Sequence, residues 1–212
     1  MTKIIVVRHG QTKWNLGQVF RGTADVPLNE TGKKQAEGLA KALKDYKIST
    51  VYSSSLSRAT ETAEAVAKKH DLEIKISPLL LDINYGQWQG VSHQEVEKKW
   101  PEIYKLWHQA PYKVKFPEGE SLDDVRKKAK KFLEKIVSEH QGETIAAASH
   151  RVAIKILLCA ALGIDNSHFW QLKQNTASFS ILEYEKGVFS LACLNETCHL
   201  KDIAGGIDKV DF

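Results

Sequence analysis

Four consecutive β-branched residues, Ile4-Ile5-Val6-Val7, stand almost at the start of the chain with no polar residue among them. Such a run must be buried on both faces, as in an inner strand of a parallel sheet covered by helices on each side. The sequence beyond it alternates accordingly. From Thr31, TGKKQAEGLAKALKDY sets Ala36, Leu39, Ala40 and Leu43 at helical spacing, with Thr31 as the expected N-cap. A short strand at 50–53, a helix at about 57–70 and a third strand at 73–76 follow. A fourth strand at 143–148 runs directly into HRVAIKILLCAALG, a helix with Gly163 as its stop. Residues 179–194 read as two strands turning at Lys186-Gly187, a hairpin completing the sheet at one side. This order predicts an α/β fold: a three-layer α/β/α arrangement around a mainly parallel central sheet.

At 212 residues the chain suits one domain, 1–212, that buries roughly 70% of its unfolded surface. The composition shifts at about 91–120, read as a helical insert capping the substrate site, where Trp100, Tyr104 and Trp107 share one charged helix before YKVKFPEGE breaks it. Aromatic residues at such spacing serve packing or a pocket wall, and the sequence leaves both open for them and for Trp88. Ser121 then caps a further helix, with Asp124 in the capping-box position. The last stretch, KDIAGGIDKVDF, has little periodicity and is expected to be loosely held.

Charge and cysteine usage narrow the function classes. A formal charge of +4, with lysines scattered among glutamates, excludes a nucleic-acid surface but leaves room for clustered arginines around a small anion. Cys159, Cys193 and Cys198 have no CxxC spacing and are expected as reduced, mostly buried thiols. The start, MTKIIVV, lacks a signal-peptide pattern, and the most apolar helix is short and carries Lys155. A cytoplasmic protein without a membrane partner, a monomer or homodimer, is the expectation.

In open α/β sheets ligands bind beyond the carboxyl ends of the strands. Strand one ends in Arg8-His9-Gly10, strand two in Tyr52-Ser53-Ser54-Ser55 with Arg58 just inside the next helix, and strand four in Ser149-His150. Two arginines and two histidines therefore meet at one sheet edge, beside the start of a helix whose free N–H groups favour an anion. A compact, doubly charged anion such as a phosphoryl group is the expected ligand. One histidine at a strand end is usually structural, and one arginine in a helix, such as Arg58 near Glu61 and Glu64, usually a surface ion pair; their convergence points to chemistry. His93, His108, His168 and His199 have no metal-ligand spacing and are read as structural.

RHGQTKWN, YSSSLSRATETA, LLLDINYGQWQG, PEGESLDDV and ASHRVAIKILL occur in the order and approximate spacing of the histidine phosphatase superfamily, and the chain resembles that superfamily over nearly its whole length. The resemblance implies the phosphoglycerate mutase-like fold, with His9 as a nucleophile that becomes phosphohistidine. It places Arg8, Arg58 and His150 around the transferred group, Asn15 as a further phosphate contact, and Arg21 at a position where relatives often carry glutamine. The family's glutamate, four residues before the glycine of GxWxG, corresponds here to Asp82, one methylene shorter, and Asp82 is taken as the general acid and base. Against this, an aspartate after three leucines can simply begin a turn. Arg151, beside His150, is assigned no role and expected to face solvent.

The chemistry is consistent with these residue types. Imidazole, with a reference pKa of about 6.5, has a neutral nucleophilic fraction near pH 7, and guanidinium groups align and neutralise phosphoryl oxygens. No metal or other cofactor is expected. The implied function is hydrolysis of a small phosphorylated metabolite: α-ribazole phosphate, a sugar phosphate, or many esters alike. Two alternatives remain. One is a cofactor-dependent phosphoglycerate mutase, for which the insert offers only Lys113 and Lys115 as extra cations; the other is a non-catalytic phospholigand-binding module. Residues selecting among substrates are expected in the insert.

Overall fold

The computed structural model describes residues 1–203. Its sheet has six strands in the order β3-β2-β4-β1-β5-β6, comprising β1 (Thr2–Arg8), β2 (Ile48–Ser53), β3 (Ile74–Ile76), β4 (Thr144–Ser149), β5 (Phe179–Glu185) and β6 (Val188–Glu196). β1 pairs with β4 in parallel, as β2 does with both β4 and β3; β5 and β6 form the antiparallel edge. The continuous apolar run in β1 is explained by its two faces. Ile4 and Val6 join one core with Ile145, Ala147 and residues of the helices α6 (Leu122–Glu139) and α7 (Arg151–Ala161). Ile5 and Val7 join a second core with Ala146, Ala148 and the helices α2 (Glu30–Leu43) and α3 (Ser57–Ala67). Side chains alternate across a strand, so a strand between two helical layers needs apolar residues at every position.

Several local expectations are corrected. α2 starts before Thr31 because Asn29 is its N-cap: the Asn29 side chain accepts from Gly32 N–H at 2.8 Å and donates to Gln11 Oε1 at 2.8 Å. The helix after β2 ends at Ala67, and a single 3₁₀ turn, Lys68–His70, completes it. The insert holds two helices, α4 (His93–Lys99) and α5 (Pro101–Gln109), because Pro101 disfavours helical geometry at Trp100, which has φ −135° and ψ 57°. Ser121 and Asp124 form the expected capping box, with Ser121 Oγ 2.8 Å from Asp124 Oδ2. Trp88 and Trp107 are fully buried, with Trp100 and Tyr104 packed against the same core, so packing claims the aromatic stripe. Of the three thiols only Cys159 is buried; Cys193 is half-buried and Cys198 exposed. The expected loose end of the chain, from Ala204 onward, lies outside the described residues. No helix among the described residues is long and apolar enough to cross a membrane.

One close approach holds the loop after β1. Gly32 lies against it so tightly that a Cβ there would meet Gln11 O at 2.1 Å, while a Cβ on Gly10 would meet Gly32 O at 2.6 Å. Both neighbours are backbone atoms and cannot rotate away. Gly32→Ala is therefore expected to cost roughly 1–3 kcal/mol of stability, read from denaturant midpoints, and to lower activity by displacing the adjacent His9.

Candidate active site

His9 follows the last residue of β1 and is 2% exposed. Its backbone is held from two sides: His9 N–H donates to Ser149 O at 3.0 Å, and Ala177 N–H donates to His9 O at 3.0 Å. Its Nδ1 lies 2.6 Å from Gly10 O. A carbonyl oxygen can only accept, so Nδ1 carries the proton and Nε2 keeps its lone pair. His150 is the N-cap residue of α7, completely buried, with its ring centroid 5.2 Å from that of His9. Ser54 Oγ lies 2.7 Å from His150 Nε2, whereas Nδ1 has no hydrogen-bond partner among the described residues. With Ser54 donating, Nδ1 bears the proton and becomes a donor for a bound oxyanion.

The arginines are set by backbone carbonyls. Arg8 is 1% exposed and donates through Nη1 to Gln174 O. Arg58 is 0% exposed and donates to Ala24 O at 2.8 Å and Gly22 O at 2.7 Å; its Nε is a buried donor without a protein partner among the described residues. It is therefore no surface partner of Glu61 or Glu64. Asp82 is buried, with Oδ2 4.0 Å from Arg58 Nη2 and Oδ1 lacking a hydrogen-bond partner among the described residues. A buried donor and a buried acceptor left open in one place cost stability unless a ligand or water meets them. Asn15, in the short helix α1 (Lys13–Leu16), uses its Oδ1 to accept from Thr12 N and Thr12 Oγ1, both at 2.9 Å, leaving its amide N–H groups as its remaining polar function.

One cavity of about 550 Å³, including its open mouth, brings together His9, Asn15, Arg21, Asp82 and Val152. The same cavity is lined by Gln18, Val19, Phe20, Tyr85, His93 and Arg151. Two expectations are corrected here. Arg151 does not simply face solvent: α7 begins immediately after His150, which puts the next side chain on the cavity wall. His93 is also a wall residue, stacked on Phe20 with centroids 4.0 Å apart. The insert thus contributes His93, whereas residues 18–22 contribute much of the lining. His108, His168 and His199 do not line this cavity and lie against Trp170, Asp165 and Ala177 O respectively. Lys113 lies over Tyr112 and Lys115 pairs with Asp124; neither lines the cavity. Among the described residues no group of three or more His, Cys, Asp or Glu is placed to hold a metal ion.

Electrostatics tune these groups strongly. Burial, followed by the positive charge of Arg58, holds both His9 and His150 well below the ordinary histidine range. His93 is lowered to about 4, mainly by burial and then by Arg151. Arg21 is lowered to about 9 by burial and by Arg8, Arg151 and Arg58. Burial raises Asp82 despite the opposing pull of Arg58. The histidine shifts carry a stability prediction. Below about pH 6.5 the unfolded chain takes up protons that native His9, His93 and His150 refuse, so native stability falls as pH drops through that value toward the depressed native pKa values. The melting temperature should decline from pH 7 to pH 5. Inorganic phosphate bound among the arginines would favour charged imidazole, so its addition should lessen the decline.

Fold and site together define a phosphomonoester hydrolase of the histidine phosphatase type, with an imidazole and a cluster of arginines at one sheet edge. The chain belongs to the histidine phosphatase superfamily (branch 1), whose family model matches residues 4–197. It is 38% identical over 200 residues, 94% of this chain and 95% of the relative, to phosphoserine phosphatase 1 of Hydrogenobacter thermophilus. Among solved structures, Bacillus stearothermophilus YhfR superposes with a TM-score of 0.89 at 32% identity, covering 94% of this chain and 99% of that one. A phosphoserine phosphatase mutant from Entamoeba histolytica, in complex with phosphoserine, superposes with a TM-score of 0.85 at 27% identity over 94% of this chain and 100% of that one.

Proposed function

We propose that the chain hydrolyses the ester of a small phosphorylated metabolite in two in-line steps through a phosphohistidine on His9. The observation that carries this reading is the tautomer of a buried, neutral imidazole: Nδ1 is committed to Gly10 O, so Nε2 is the nucleophile. In the first step the Nε2 lone pair attacks phosphorus, the P–O ester bond breaks, and Asp82 gives its proton to the leaving oxygen. In the second, the Asp82 carboxylate takes a proton from water, whose oxygen attacks phosphorus; the P–N bond breaks and its electron pair returns to Nε2. Arg8, Arg58, Arg21, Asn15 and His150 bind the phosphoryl oxygens, and the raised pKa of Asp82 supports its protonated form at the start of the cycle. Residues 91–120 act as a cap over the site.

Phosphatase names among the relatives, including phosphoserine phosphatase and glucosyl-3-phosphoglycerate phosphatase, support hydrolysis of a small metabolite. Neither Lys113 nor Lys115 lines the cavity, which weakens the mutase alternative. The test is rapid quenching of chelator-treated enzyme with labelled substrate, alongside turnover of nitrophenyl phosphate. Acid-labile, base-stable label and released inorganic phosphate are expected. Transfer to added phosphoglycerate in preference to water would instead favour a mutase, and binding without turnover a non-catalytic module.

A further inference from the structure

Arg58 is tied to two carbonyls of one tight turn. Its Nη2 donates to Gly22 O at 2.7 Å and its Nη1 to Ala24 O at 2.8 Å, and those two residues flank Thr23. The turn closes on itself, because Ala24 N–H donates to Arg21 O at 3.1 Å. Arg21, a cavity residue, therefore leaves from the same four residues that orient the Arg58 guanidinium.

The turn is fixed from a distant part of the chain. Gln89 Oε1 accepts from Thr23 N at 2.7 Å and from Thr23 Oγ1 at 2.8 Å. A backbone N–H can only donate, so the atom facing it must be the amide oxygen and not the amide nitrogen. Gly22 leaves room for that oxygen: a Cβ there would meet Gln89 Oε1 at 2.3 Å. We infer that Gln89, which does not line the cavity, is a positioning residue that locks this turn and thereby holds Arg58 and Arg21 in place for the phosphoryl group; this rests on the phosphatase reading above.

The backbone of Gln89 is itself anchored. Its N–H donates to Gly86 O at 3.1 Å, Trp88 before it is fully buried, and Gly90 N–H after it donates to Phe20 O at 2.8 Å. The acceptor is thus in place before any substrate arrives, which is what stabilisation of a transferring phosphoryl group requires. Removing the oxygen leaves Thr23 N–H without this partner, and the carbonyls on either side of it relax together with the guanidinium bonded to them. Arg58 Nη2 is also 4.0 Å from Asp82 Oδ2, so the same displacement disturbs the alignment of the phosphoryl group with the proposed acid.

Two substitutions separate the oxygen from the bulk of the side chain. Gln89→Met keeps the length but offers only a weak acceptor, whereas Gln89→Glu keeps an oxygen facing Thr23. On nitrophenyl phosphate, Gln89→Met should lower kcat/KM by roughly 10- to 100-fold with a raised KM, and should weaken the binding of inorganic phosphate, measured by calorimetry, by about tenfold. Gln89→Glu should stay within a few-fold of wild type in each measurement. A lower kcat with unchanged KM and phosphate affinity, as fewer folded molecules would give, would overturn the inference, and so would an equal loss in Gln89→Glu. If melting curves show that Gln89→Met does not fold, Thr23→Val and Thr23→Ser probe the same contact from its other side: a smaller loss of the same kind is expected in the valine variant alone, and equal activity and phosphate affinity in the two would overturn the role of Gln89. Wild-type protein that turns over no ester would refute the phosphatase reading, and phosphate affinity would then decide the positioning role by itself: a Gln89→Met variant binding as tightly as wild type would end it.

Discussion

His9→Ala should lower kcat/KM on every phosphomonoester by roughly 10⁴-fold or more and eliminate the trapped phosphoenzyme. The size follows from the division of labour in the site. Arg8 and Arg58 are anchored by carbonyls of Gln174, Ala24 and Gly22, none of which depends on the imidazole, so the cationic cradle should survive the substitution. Phosphate binding, measured by titration calorimetry, should therefore persist while turnover disappears. The pH dependence of stability should also weaken, because one of the buried neutral histidines is gone. Retention of label on the alanine variant would refute His9 as the nucleophile.

The second large effect belongs to Asp82, and its size should depend on the leaving group. With an alkyl ester, Asp82→Asn should cost roughly 10²–10⁴-fold in kcat/KM, since the leaving alkoxide receives no proton. Nitrophenolate needs little help, so its first step should be nearly spared; the second step, which needs a base, should not. The expected record is a burst of about one nitrophenol per site followed by slow turnover, with phosphoenzyme accumulating. A single acid and base predicts this pattern, whereas equal loss on both esters without a burst would assign Asp82 to binding. The wild-type profile follows from opposite shifts: burial pushes the His9 pKa down and the Asp82 pKa up. Their required forms overlap more at mildly acidic pH, so kcat/KM should rise as pH falls from 8 toward 6.

Local sequence was a good guide where a single element carried the information. Ile4–Val7 could only be an inner strand, and Ser121 with Asp124 could only cap a helix in the way seen. It misled where a neighbour distant in sequence decided the outcome. Asn29 displaced Thr31 as the cap because Gln11, eighteen residues earlier, supplies its second hydrogen bond. His93 looked structural because nothing local announces Phe20 or Arg151 beside it.

The order of elements, the strand ends that bear Arg8, His9 and His150, and membership in a phosphoryl-handling family were all determined by the amino-acid sequence, because hydrophobic period and short motifs act over a few residues. The protonation of the two histidines was decided only in three dimensions. Gly10 O selects the His9 tautomer, burial with Arg58 keeps both imidazoles neutral, and the abrupt start of α7 turns Arg151 toward the cavity. Desolvation and charge act through space, between residues that the chain itself keeps far apart.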